Sequence, residues 1–181
     1  IDFDASGTPI AFTEKVFEDM RALVDAAETF NIKLLPAIFD YTIADGVEYE
    51  GLYQVGEHPD LISDSVKRQA LFTLLDGFFD EFASDNNVYA WDIMNEPEYA
   101  DAVTLTDMQD FISGIADIIH SKTGSAPVTV GSKDRVSMID NWTQVGLDIY
   151  QYHYYDSFSG ELSLNHPASD LGLDVPVIAG E

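Results

Sequence analysis

Residues 88–97 read Val88-Tyr89-Ala90-Trp91-Asp92-Ile93-Met94-Asn95-Glu96-Pro97. The first seven are a short run rich in β-branched and aromatic side chains, which predicts a buried strand. Proline cannot donate to a ladder, so the strand ends at Asn95-Glu96. A helical pattern lies on each side. Upstream, Ser63 or Asp64 caps a helix running to about Ala83, with Val66, Ala70, Leu71, Leu74, Leu75 and Phe78 as its apolar face. Downstream, Thr106 opens a helix to about Lys122, with Phe111, Ile112, Ile115, Ile118 and Ile119 inward and Gly124 as its stop.

The same unit recurs outward. Residues 13–31 carry Phe17, Met20, Val24 and Ala27 at three- and four-residue spacing behind a capping Thr13, and predict a helix. Short apolar runs at 32–39, 127–130, 147–154 and 175–180 predict strands, although Pro36 sits awkwardly in the first of them. Residues 40–62 read as a long loop, 136–142 as a short helix or turn, and 156–174 as loop or weak helix. Strands alternating with helices predict a single α/β domain over 1–181, built on a parallel sheet covered by helices.

Composition sets the outer bounds. In 181 residues, 8 basic side chains stand against 33 acidic ones, a formal charge of −25. Such a surface repels phosphate backbones and anionic membranes, which excludes a nucleic-acid binder and a membrane-surface protein. The absence of cysteine removes disulfides, thiolate metal sites and a thiol nucleophile. His58, His120 and His166 fall into no metal-ligand spacing. The acids are dispersed rather than gathered in a tail, the pattern of a surface adapted to high salt, where repulsion is screened within about 3 Å at 1 M.

In parallel α/β folds the strand C-termini form the functional mouth. Here those ends are Asp40, Asn95-Glu96, Ser132, His153 with Tyr155, and Glu181. Glu96 closes the second strand and Glu181 the fifth, three strand steps on. Around an eight-stranded barrel that places two carboxyls across one mouth, the requirement for cleaving a glycosidic bond. His153 and Tyr155 share a face, because side chains repeat every second residue along a strand. Tyr41, Tyr49, Tyr53, Tyr99 and Trp142 offer aromatic faces suited to pyranose rings.

The run Trp91-Asp92-Ile93-Met94-Asn95-Glu96-Pro97, the triplet His153-Tyr154-Tyr155 and the final Gly180-Glu181 together resemble the clan A glycoside hydrolases, nearest to the family 5 cellulase and mannanase group. The resemblance implies a (β/α)8 TIM barrel, present here as an incomplete segment of about five βα units, strands three to seven. It implies a retaining β-glycoside hydrolase acting on a glucan- or mannan-type polysaccharide or oligosaccharide, without a cofactor. Glu96 then resembles the general acid/base and Glu181 the nucleophile. Asn95 is expected on the sugar 2-hydroxyl, Tyr155 on the Glu181 carboxylate, and His153 on the sugar or the acid/base. Trp142 and Tyr41 are expected to be sugar-binding. The resemblance also implies a secreted, extracellular protein whose missing strands come from the rest of a longer polypeptide. Asp92, mid-strand, reads as a buried structural partner. A histidine motif usual after strand three is absent from Phe39-Asp40-Tyr41. The alternative reading is a carbohydrate-binding barrel, or an inactive fragment of such an enzyme, without turnover.

Overall fold

A computed structural model of the chain describes residues 1–49, 51, 53–155 and 168–180. A small hairpin, β1 (Asp2–Phe3) with β2 (Pro9–Ala11), precedes helix α1 (Glu14–Phe30). Strand β3 (Ala37–Asp40) follows, then helix α2 (Thr42–Asp45), a hairpin of β4 (Val47–Tyr49) and β5 (Tyr53–Val55), and helices α3 (Asp60–Ser63) and α4 (Ser65–Phe82). Next come strand β6 (Trp91–Asn95), helix α5 (Leu105–His120), strand β7 (Val128–Ser132), the short helix α6 (Arg135–Ser137), and strands β8 (Tyr150–Tyr152) and β9 (Val177–Ala179).

Strands β3, β6, β7, β8 and β9 form one sheet in that order, every pair parallel. Strand order in the sheet therefore follows order in the chain, as in a barrel wall. Register aligns Asp40 with Asn95, Asn95 with Gly131, Ser132 with Tyr152, and Tyr152 with Ala179. The C-terminal strand ends thus meet along one rim.

The helix boundaries follow their caps. Asp64, rather than Ser63, caps α4 by accepting from the Val66 and Lys67 amides. Thr104, not Thr106, caps α5 by accepting from the Asp107 amide, so that helix starts earlier than its periodicity suggests. Thr13 holds the N-cap position of α1 without a side-chain hydrogen bond. Asn31 ends α1 in the left-handed region at φ 52°. Pro36 lies just before β3, where it needs no donor, and its carbonyl accepts from the Asp92 amide at 3.0 Å. The expected loop at 40–62 holds the β4–β5 hairpin and two single-turn helices.

The core lies between the sheet and helices α4 and α5. Leu71, Leu75, Phe78, Phe79 and Phe82 of α4 are buried, as are Met108, Phe111, Ile112, Ile115 and Ile119 of α5. Val66, read as part of the α4 face, is instead exposed, because the face rotates toward Phe79 and Phe82. Trp91 and Ile93 point outward from β6 into this layer, which leaves Asp92 to face the opposite side. Beside β3, an apolar hollow of about 440 Å³ is lined by Phe12, Val16, Leu23, Ile38 and Phe39 among others. Among the described residues no helix is long and apolar enough to cross a membrane.

The scarce cations are shared. Lys122 holds both Asp76 and Asp80 at 2.6 Å, and Arg21 contacts Glu14 and Glu81. Most acids lack such a partner at a net charge of −25, so screening should favour the compact state. Raising sodium chloride from about 0.05 M to about 1 M is expected to raise the thermal midpoint measured by circular dichroism. A midpoint that stays level or falls would show that repulsion does not limit stability.

Candidate active site

Glu96 stands one residue beyond β6, with its backbone in the left-handed region at φ 45° and ψ 52°. For a residue with a Cβ this costs of order 1 kcal/mol and persists only where neighbours enforce it. Three features do so. The Glu96 amide donates to the Gly131 carbonyl at 2.6 Å, its carbonyl accepts from the Tyr99 amide at 3.0 Å, and Pro97 opens the following turn. The β6–β7 register is broken between Asp92 and Asn95, which re-aims the strand end.

The carboxylate so presented meets β8. Glu96 Oε1 lies 2.8 Å from Nδ1 of His153, whose side chain is 2% exposed against 17% for Glu96. A buried imidazole thus fixes one oxygen of a carboxylate that remains open to solvent. Asn95 is turned by β3: its Nδ2 donates to Asp40 Oδ2 at 2.8 Å, and Asp40 Oδ1 accepts from the Thr42 amide at 3.0 Å. A hollow of about 530 Å³ collects Asp40, Asp92, Asn95, Gln151, His153 and Gly180. Among the described residues, then, the structure brings Glu96, Asn95 and His153 to one place.

The remaining expected site residues stand differently. Trp142 is 1% exposed and donates its indole N–H to Glu98 Oε1 at 2.6 Å, so its ring belongs to the core instead of offering a platform. Tyr41 is half-buried against Tyr99, ring centroids 5.5 Å apart. Tyr155, just past β8, is 39% exposed. Glu181 and the side chains of Tyr49 and Tyr53 lie outside the described residues, as does His166.

Three residues go unnoticed by sequence patterning. Glu98 accepts from Ser132 Oγ, from the Lys133 amide at 3.1 Å and from Trp142, tying the loop after β6 to the loop after β7. Its place two residues beyond Glu96 at a strand end is the one signal that marks it. Gly131 faces the interior, where a Cβ would lie 2.9 Å from Asp92 Oδ2, 2.9 Å from Gln151 Nε2 and 3.0 Å from His153 Nε2. Gln151 donates to Asp92 Oδ2 at 2.9 Å. Asp92 is buried as the sequence suggests, and burial pushes its carboxyl up to about 6 against the pull of hydrogen bonds from Gly131 and Gln151. No group of three or more His, Asp or Glu among the described residues is arranged to hold a metal ion.

No protein-family model matches the sequence, and no curated protein matches it. Solved structures do. The chain superposes on the β-1,4-mannanase of the common sea hare Aplysia kurodai with a TM-score of 0.79 at 23% identity, covering 99% of this chain and 63% of that one. For the β-mannanase of the blue mussel Mytilus edulis the TM-score is 0.78 at 21% identity, covering 99% and 62%. For the endo-1,4-β-mannanase of Eisenia fetida it is 0.78 at 19%, covering 98% and 60%. The chain therefore has the TIM-barrel fold and spans somewhat under two thirds of the length of these structures.

Proposed function

We propose that the chain belongs to a β-glycoside hydrolase that cleaves a β-1,4-linked mannan-type polysaccharide by a retaining mechanism, with Glu96 as general acid/base and Glu181 as nucleophile. The observation that supports it most is the Glu96–His153 pair. A carboxylate is held by a buried imidazole at a strand end, in a left-handed turn, at the mouth of a fold shared with solved mannanases.

In the first step a Glu181 carboxylate oxygen bonds to the anomeric carbon as the bond to the glycosidic oxygen breaks. The Glu96 carboxyl passes its proton to that departing oxygen. In the second step water bonds to the anomeric carbon while the glycosyl ester breaks. Glu96 takes the water proton and is restored, and Glu181 leaves as carboxylate. His153 holds Glu96 at the angle both transfers need. Asn95, oriented by Asp40, donates to the sugar 2-hydroxyl. The chemistry balances with two carboxyls and water, so no cofactor is called for. A polymeric substrate of this size is met outside the cell, which fits a secreted protein.

The test is to follow reducing ends released from β-1,4-mannan and from cellulose, and the first-formed anomer by NMR. Faster release from mannan with the β-anomer formed first is the expected result. An α-anomer formed first would remove Glu181 as nucleophile. Oligosaccharide binding without release from either polymer would leave a binding barrel.

A further inference from the structure

Beneath the Glu96–His153 pair lies a second polar layer that the proposed chemistry does not use. Asp92 is 5% exposed and Gln151 3% exposed, both facing the interior from neighbouring walls of Gly131. A buried carboxylate is costly unless its oxygens are taken up, and it gains nothing for packing that an apolar side chain would not supply. Here both oxygens are engaged. Oδ1 accepts from the Gly131 amide at 3.0 Å and Oδ2 from Gln151 Nε2 at 2.9 Å. The Gly131 carbonyl, on the other side of the same Cα, accepts from the Glu96 amide. Asp92, Gln151 and His153 converge on the Gly131 Cα closely enough that a Cβ there would displace them.

We propose that Asp92 is a positioning residue for the Glu96–His153 pair, acting through the Gly131 backbone and the Gln151 amide. The inference rests on the reading of Glu96 as acid/base. Asp92 pins one side of Gly131, and Gly131 pins the left-handed turn that presents Glu96. Asp92 also holds Gln151 of β8, two residues before His153. Gln151 Oε1 is buried and has no hydrogen-bond partner among the described residues. Among the described residues the charged and titratable groups around the layer are Asp40 from β3, Asp92 from β6, Glu96 just beyond β6 and His153 just beyond β8, while Gly131 of β7 and Gly180 just after β9 add no side chain. No lysine or arginine among the described residues lines the hollow.

Burial raises Asp92 from 3.8 to about 6, so the folded chain holds its proton more tightly than the unfolded chain. The stabilisation this gives is full below about pH 4 and is lost as pH rises through about 6. An amide N–H bonded to a carboxylate reports the ionisation of that carboxylate directly.

The experiment compares wild type with Asp92→Asn and Gln151→Met. It reads kcat, KM and the pH profile of kcat on mannohexaose, thermal midpoints, and amide proton shifts from pH 4 to 8. In wild type the Gly131 amide should titrate with a midpoint near 6, with the Glu96 amide following. In Asp92→Asn the Gly131 titration should vanish, and the midpoint of melting at pH 7 should not fall. Its kcat should drop about 10- to 100-fold with KM within about twofold, and the acid limb of the profile should move. A folded Asp92→Asn with wild-type kcat and profile overturns the proposal, and so does a Gly131 amide that does not titrate. Should Asp92→Asn fail to fold, Gln151→Met keeps the carboxylate but removes one of its donors. It is expected to lower kcat and shift the profile, and an unchanged profile overturns the proposal. If wild type cleaves no mannan but the Gly131 and Glu96 amides titrate together, the functional reading falls and the positioning network stands. If wild type cleaves mannan, Glu96→Gln is inactive and the amides are uncoupled, only the positioning network falls.

Discussion

Glu96→Gln is expected to lower mannan hydrolysis by roughly 10²- to 10⁴-fold, the usual contribution of a general acid/base. The amide is nearly isosteric and can still pair with His153 Nδ1, now 2.8 Å from Glu96 Oε1, so the turn and the hollow should survive. Oligosaccharide affinity, measured by calorimetry, should change only a few-fold. The loss should also depend on the substrate. An aryl glycoside with an acidic phenol needs little protonation as it leaves, so its glycosylation step should be much less affected than cleavage between two sugars. Equal losses on both substrates would point to damage of the site rather than removal of a proton donor. Full activity on mannan would end the assignment.

The largest effect on stability is expected at Trp91. Its ring is fully buried between sheet and α4, edge-on to Phe79 at 5.2 Å and 81° and to Phe78 at 6.1 Å and 74°. Its indole N–H reaches the Ala83 carbonyl at 3.4 Å, at the end of α4. Trp91→Ala removes that layer contact and leaves a cavity among rigid aromatic rings that cannot close over it. The cost should be about 3–5 kcal/mol, a large share of the roughly 5–15 kcal/mol that holds a typical domain together. The thermal midpoint should fall by about 10 °C, and denaturant titration should show a lower midpoint with an unchanged slope. A variant within about 1 kcal/mol of wild type would mean that the sheet–helix layer is not where the stability resides.

Much of this architecture was legible in the sequence because short apolar runs alternating with helical spacing carry it. The short apolar run at 88–94 with helical spacing on both sides predicts the parallel sheet, and the strand-end rule picks out Asp40, Asn95, Glu96 and His153, which the structure gathers at one rim. Element ends were less legible because caps decide them. Thr104 and Asp64 win their positions by hydrogen bonds that apolar spacing does not encode. Trp142 was misplaced for a related reason. An aromatic ring near the mouth reads as a platform until Glu98, an acid with no sequence mark beyond its neighbourhood, is seen to draw the indole inward. Gly131 and Gln151 were invisible since their importance lies in what crosses to them from β6 and β8, a contact between elements rather than a pattern within one. Glu181, the second carboxyl of the proposed pair, lies beyond the described residues, so its role stands on the sequence alone.

The sheet lays down its five strands in the order in which they are synthesised, each beside the one before. No strand must wait for a distant partner, and loop closures stay short, which lowers the entropic barrier to each addition. Such a wall can grow unit by unit as the nascent polypeptide leaves the ribosome. The long helices α4 and α5, made after β3 and β6, cover the growing sheet before its next strand is made.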